Sequence, residues 1–427
     1  MKQKRLYQYI APNILAMVGI SCYILADTFF IATAQGTNGI TALNLALPIY
    51  GIIFAIGSMI GTGSAIRYAL AKATGQQEAK KYFSNALIWD VIVSVIFIAA
   101  GLFFPGQVMR VMGADTVIES IGIPYTRIVL CFTPFFMMNY AFTAFVRNDN
   151  APHIAMAATL LSSLFNIVFD YVFMFPLGMG MTGAALATAV SPIVSILICM
   201  VHYLSPKSSV SFHFMVPSVK MLISSCSLGV VAFVGEIASA VTTMVFNFVL
   251  LGLDGNTAVA AYGVIANTAL VGTAIFNGVS QGLQPLASEA HAKGEAEEKK
   301  KILTKSVLTG IVLAVVLIGG VWIFAPQITD VFNSEHSEQL AAYAVPGIRI
   351  YFAGFFAAAI NIIFAGFLSA TDHAKESSIV AISRGIVAII AFALILPKFL
   401  GITGVWLAFP AAEVLTLFVA LVISKKN

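Results

Sequence analysis

The chain has 427 residues, 59% hydrophobic and 10% charged, with a mean hydropathy of +0.93 and a formal net charge of +4. Soluble globular chains carry roughly 25% charged residues, so these figures exclude a soluble domain and predict an all-α polytopic membrane protein. Cys22, Cys131, Cys199 and Cys226 all stand inside apolar runs without metal-ligand spacing, and read as small buried hydrophobes rather than disulfides or a metal site.

The N-terminus, MKQKRLYQYIAPNILAM, is basic and then apolar like a secretory signal. Its apolar run continues to Thr33 without a small-residue cleavage site and is long enough to cross a bilayer, so it reads as the first membrane helix. Apolar segments follow near residues 9–33, 44–69, 85–105, 120–145, 153–175, 181–203, 219–251, 258–285, 303–325, 341–369, 377–397 and 403–424, which makes twelve spans. Most lysines and arginines lie at the termini, the even-numbered loops or the span ends beside them, among them Lys2, Lys4, Arg5, Arg67, Lys72, Arg147, Lys293, Lys425 and Lys426. Arg110 and Lys398 lie on the odd-numbered loops. That asymmetry predicts a multi-pass protein of the cell membrane with both termini in the cytoplasm. The basic loops suit an anionic inner leaflet, and no nucleic-acid partner is expected.

The chain matches itself at an offset of about 220 residues. AKATGQQEAKK (71–81) answers AHAKGEAEEKK (290–300), GTNGITAL from Gly36 answers GNTAVAAY from Gly255, IPYTRIV (123–129) answers VPGIRIY (345–351), and GMTGAALA (180–187) answers GITGVWLA (401–408). Six helices therefore repeat as six. The expected architecture is two pseudo-symmetric six-helix bundles with a central cleft: an N-terminal lobe at 1–204, a cytoplasmic loop at 205–217 and a C-terminal lobe at 218–427.

The costly residues are the acids inside the spans. Asp170 stands in an apolar run, and an ionised side chain at that depth costs roughly 2.5–3.5 kcal/mol even on lenient scales, so by default it faces a cavity. Asn166, four residues earlier, shares its helix face. The pair reads as a carboxylate with a fixed hydrogen-bonding neighbour, or alternatively as a polar contact gluing two helices. The repeat supplies an internal control. Asp27 is answered by Phe246, Asp170 by Ala391 or Phe392, and Asn166 by Val387 or Ala388. The scaffold is duplicated and the acids are not, which favours function over packing. Glu236 in span seven and Glu413 in span twelve answer Met17 and Pro192. Glu236 is a candidate for the substrate cleft, and Glu413 for the cleft or for a structural role. Asp90, near a span end beside Trp89, is expected to reach interfacial water. Arg127 and Arg349 occupy repeated positions and read as structural anchors. The six histidines, His336 on its loop among them, have no metal-ligand spacing.

At ADTFFIA (26–32), FVRNDNAPHIAMAATL (145–160), NIVFDYVFMFPLGMGMTGAALAT (166–188) and GVSQGLQPLAS (278–288), the chain resembles the multidrug and toxic compound extrusion (MATE) transporters, in the branch of the DNA-damage-inducible and staphylococcal multidrug pumps. The resemblance covers essentially the whole chain. It implies a cation-coupled antiporter whose coupling site lies in the N-terminal lobe, at Asp27, Tyr125, Asn166, Asp170 and Thr188, with Pro12 as the hinge of span one. The second half departs from the subfamily with coupling acids in spans seven and ten: span ten has no Asp or Glu, and Glu236 lies about one turn from the expected place.

These readings together predict a secondary active exporter of small, mostly cationic organic compounds that works as a monomer by alternating access of its lobes. It needs no cofactor beyond a coupling ion, H+ or alternatively Na+ held by Asp27, Asn166, Asp170 and Thr188. Phe136 and Met137 are candidate cleft residues, within a Phe- and Met-rich run suited to flat apolar cations. No Walker P-loop, channel filter or nucleophile–base constellation is evident, so an ATPase, a channel and an enzyme are disfavoured. A lipid-linked oligosaccharide flippase of the same superfamily is the alternative, and it would line its cleft with several cationic residues.

Overall fold

The computed structural model describes residues 3–332 and 337–424, so Lys2, His336, Lys425 and Lys426 lie outside the described residues. Among the described residues every regular element is helical. A helix satisfies its backbone donors and acceptors internally, which is what a chain in hydrocarbon requires. Among the described residues ten helices are long and apolar enough to span, and two bent helix pairs bring the total to twelve. In order, spans one to six are Arg5–Gln35, Ala42–Ala73, Ala79–Phe103, the pair Thr116–Cys131 and Thr133–Asn148, Pro152–Met174 and Gly180–Tyr203. Spans seven to twelve are Val219–Gly255, Thr257–Ala292, Ala296–Phe332, the pair Glu338–Ala353 and Phe355–Ala370, Ala374–Ile395 and Pro397–Ser424.

Spans one and two form a hairpin although the backbone is helical from Gln3 to Ala73. Tyr9 donates to Asn150 Oδ1 (2.9 Å) and Tyr68 donates to Asp149 Oδ1 (2.7 Å), so both ends of this stretch meet one loop, and the chain reverses between 35 and 42. The matching reversal between spans seven and eight falls at Asp254 and Gly255. Gly255 sits at φ 67°, ψ −150°, a region essentially closed to residues with a Cβ. The bent pairs also occupy repeated positions. Span four turns by 47° around Phe132, where Pro134 removes a backbone donor, and span ten turns by 43° around Gly354.

Each bundle has its own core. The first holds Tyr50, Tyr68, Phe83, Tyr125, Phe136 and Phe145, and the second Phe246, Tyr262, Tyr351, Phe352, Phe355 and Trp406. The asymmetry seen in the repeat is physical. Where the first bundle carries Asp27, the second buries Phe246 completely, its ring 4.9 Å from that of Tyr262, which in turn stacks on Trp406. Phe246→Ala is therefore expected to cost roughly 3–5 kcal/mol of stability, measurable by reversible unfolding in mixed micelles, without altering the ion requirement of transport. A changed ion requirement would place part of the ion site in the second bundle.

The face that carries the basic loops is where the backbones of the two bundles meet. A Cβ added to Gly63 in span two would lie 2.1 Å from the Ser225 carbonyl oxygen in span seven, and one on Gly229 would lie 2.0 Å from that of Met59. Span eight makes the corresponding contact with span one, through Gly282 against Ile10 (2.7 Å) and Gly278 against Ile14 (2.5 Å). Small residues four apart let membrane helices touch backbone to backbone, and the repeat makes that contact twice. Arg5 pairs with Glu289 at 3.0 Å and Arg67 with Asp372 at 2.7 Å around it.

The connection between the bundles is fastened to the first of them. Asp149 is buried and accepts from Tyr68, Lys72, His202 Nε2 (2.9 Å), and the Ser209 amide (2.9 Å) and hydroxyl. Burial alone would raise this carboxyl, but the donors outweigh it and hold it below the ordinary carboxylate range. Farther along, Ser84 accepts from the His213 amide and Asn85 from the Ser218 amide.

Three expectations are corrected here. Asp90 does not reach interfacial water: it is fully buried, and neither carboxyl oxygen has a partner among the described residues. Arg147, counted with the basic loop residues, is 5% exposed and turns inward. Of the Phe- and Met-rich run at 132–138, only Phe136 reaches the space between the bundles. Arg349 fits its expected anchoring role, since it and Trp322 each donate to the other's carbonyl (3.2 and 2.8 Å).

Candidate functional site

Two features lie side by side. The first is a polar knot inside the N-terminal bundle. Asn166 and Asp170 are both fully buried on one face of span five, as their spacing required. With the Asn166 amide oriented to satisfy its neighbours, its Nδ2 donates to Asp170 Oδ2 (3.1 Å), and its Oδ1 accepts from the Thr188 hydroxyl (3.2 Å) and amide (3.3 Å) in span six. Asp27 from span one comes within hydrogen-bonding reach of the Asp170 carboxyl. Among the described residues Asp27 Oδ1 and Asp170 Oδ1 each have no other partner and are buried. Two carboxyls in contact hold a hydrogen bond only when a proton lies between them, and otherwise they need a cation. The chemistry of such a pair suits a shared proton, or a small cation held by the same oxygens. Among the described residues, no group of three or more His, Cys, Asp and Glu is placed to hold a metal ion.

Tyr125 lies beside this knot without a hydrogen bond to either carboxyl, its hydroxyl accepting from Tyr50 (3.0 Å). Nothing in the sequence singles out Tyr50. Pro12 is buried within a continuous helix, next to an outer groove lined by His153 and Met156.

The second feature is a cavity of about 340 Å³ between the bundles. Its walls include Tyr23 and Ile24 of span one, Phe136 and Tyr140 of span four, Thr188 of span six, Glu236 of span seven, and Asn277, Gln281 and Gln284 of span eight. Glu236 accepts a hydrogen bond from Tyr140 across the gap (3.1 Å). Thr188 belongs to both features, and Tyr23 is one helical turn from Asp27. The carboxyl knot thus lies directly behind the cavity wall.

Phe136 and Glu236 line the cavity as expected, whereas Met137 and Glu413 do not. Met137 is fully buried against Gly57, and its sulfur accepts from Ser94 (3.4 Å). Glu413 is locked inside the C-terminal bundle by Arg384 (Nη2 to Oε1 2.6 Å, Nε to Oε2 3.3 Å) and by Asn361 Nδ2 (2.8 Å). Tyr23, Tyr140, Arg147 and Gln281 were not anticipated, although Tyr140 and Arg147 are seven residues apart and so share a helix face.

The MatE family profile matches residues 12–172 and again 232–395, once in each half. The chain belongs to the MatE family. It is similar to the multidrug export protein MepA of Staphylococcus saprophyticus, at 25% identity over 98% of this chain and 93% of that one. MepA of Staphylococcus aureus strain MRSA252 gives 24% over the same shares. Among solved structures, an outward-facing multidrug resistance MATE family transporter of the MOP superfamily superposes with a TM-score of 0.89 at 20% identity, covering 99% of this chain and 95% of that chain. A MATE crystal structure in complex with MaL6 gives 0.92 at 21% over the same shares. At these identities the structures establish the fold: a multi-pass membrane protein of two six-helix bundles around a central cleft. The two profile matches begin 220 residues apart, the offset at which the chain repeats itself.

Proposed function

We propose that this chain is a multidrug efflux transporter of the bacterial cell membrane, with cytoplasmic termini and lobes bounded near residues 204 and 218. It exports small organic compounds by proton antiport. The observation that carries this reading is the shared wall, where the Asp27–Asp170–Asn166–Thr188 knot backs onto the cavity through Thr188 and span one. A proton entering the knot removes a charge and lets the helices around it repack, which changes the cavity's affinity for cargo. The alternation is between the arrangement described, held together at the basic face by the glycine contacts and the Arg5 and Arg67 ion pairs, and one opened there by rocking of the lobes, with Pro12 as the hinge of span one.

Protons are favoured over sodium because the surroundings are rich in apolar side chains and sparing of oxygen: Asn166 and Thr188 already bond each other. The flippase alternative would need several cations in the cleft. Arg147 is the one basic side chain lining the cavity among the described residues, and Glu236 opposes it with a carboxylate. In vesicles loaded with a fluorescent organic cation, a pH gradient without sodium is expected to drive transport. Dependence on sodium with indifference to the pH gradient would make the knot a metal-ion site instead.

A further inference from the structure

The cavity is charged at two levels. At mid-depth stands Glu236, held by Tyr140. Arg147 lies seven residues further along the same helix face as Tyr140, roughly 10 Å toward the floor. Its Nη1 donates to the neutral oxygens of Asn13 (3.3 Å) and Gln281 (2.9 Å), and its buried Nε has no acceptor among the described residues. Among the described residues no carboxylate forms an ion pair with it, in contrast to the fully paired Arg384. Gln284, one turn from Gln281 and 5% exposed, also lines the cavity, with an oxygen that has no partner among the described residues. An uncompensated guanidinium withdrawn from bulk water is costly, and its planar fork matches a carboxylate.

We propose that the floor of the cavity is an anion-accepting subsite built on Arg147, so that preferred cargo is zwitterionic. Its carboxylate lies against Arg147, and its cationic end lies roughly 10 Å away against Glu236 and the faces of Tyr23 and Tyr140. Gln284 turns its amide so that its N–H groups also face the carboxylate. A pyrophosphate-bearing lipid does not fit, because its several negative charges would meet one cation and an opposing carboxylate. This inference rests on the efflux reading of the same cavity and narrows its substrate class.

Two rhodamine dyes that differ only in one carboxyl group, the zwitterionic free acid and its cationic ethyl ester, separate the possibilities. Binding of each to the purified full-length protein in lipid nanodiscs is measured by fluorescence anisotropy at neutral pH. The wild type is expected to bind the acid about tenfold more tightly than the ester, as for one charge-assisted hydrogen-bonded contact. Arg147→Gln should bring the ratio near one. Arg147→Lys keeps the charge but loses the fork, and should retain a few-fold preference. It carries the test with the wild-type ratio if the glutamine variant does not fold. Equal binding by the wild type, a preference for the ester, or a preference that survives Arg147→Gln overturns the subsite and leaves Arg147 as a bridge between spans one and eight. In each of those cases ester binding leaves the efflux reading standing. If neither dye binds the wild type, the subsite and the assignment of this cavity to cargo both fall.

Discussion

Asp170→Asn is expected to yield a folded protein that no longer concentrates cargo against its gradient. The substitution keeps shape and volume, and the Asn166 amide still finds an oxygen at the place of Asp170 Oδ2. What disappears is the carboxyl beside Asp27, the group proposed to exchange a proton with it. One proton moving down ~100 mV supplies ~2.3 kcal/mol, enough to hold roughly a fifty-fold gradient of a neutral cargo exchanged one for one. The variant should equilibrate cargo at a ratio near one in everted vesicles under a pH gradient, with wild-type yield and unfolding behaviour. Concentrative transport at the wild-type level would remove Asp170 from the coupling site. A protein that fails to fold would instead mark the knot as helix glue.

Breaking the other buried ionic site should damage stability. Arg384 stands on a short π-helical stretch, Ser383–Val387, and is seated bidentately on Glu413, which is 1% exposed. Removing the cation alone strands a carboxylate held only by Asn361. Arg384→Met is expected to cost about 3–5 kcal/mol, as for other broken buried pairs, and the double variant Arg384→Met, Glu413→Leu should recover most of that loss. Unfolding in mixed micelles measures both. A double variant as unstable as the single one would show that packing around the π-helical turn, and not a stranded charge, is what matters there. Since neither residue lines the cavity, the double variant should keep the wild-type ion requirement.

The proposed mechanism and the stability of this protein thus draw on differently treated acids. Among the described residues Asp27 and Asp170 keep unpartnered oxygens, as the proposed coupling role requires, while Glu413 is saturated by fixed donors. The repeat gives two equivalent bundles, and in the second the corresponding space is filled by Phe246, Tyr262, Tyr351 and Trp406.

The number of spans, their order, the basic face and the repeat were legible in the sequence because each depends on local composition. A run of apolar residues is long enough to cross or it is not, and a loop is basic or it is not. Asn166 and Asp170 were legible as a pair because a spacing of four residues puts two side chains on one helix face whatever surrounds the helix. The direction in which each face points was decided by tertiary structure. Arg147 reads as a loop charge and turns into the cavity; Glu413 reads equally as a cleft or a structural residue and closes on Arg384; Met137 neighbours the cavity-lining Phe136 and is packed against Gly57. In a soluble helix the apolar stripe marks the inward side. Here lipid is as apolar as the core, so the sides of a span differ little in hydrophobicity, and only contact with the other helices selects which one faces the cavity.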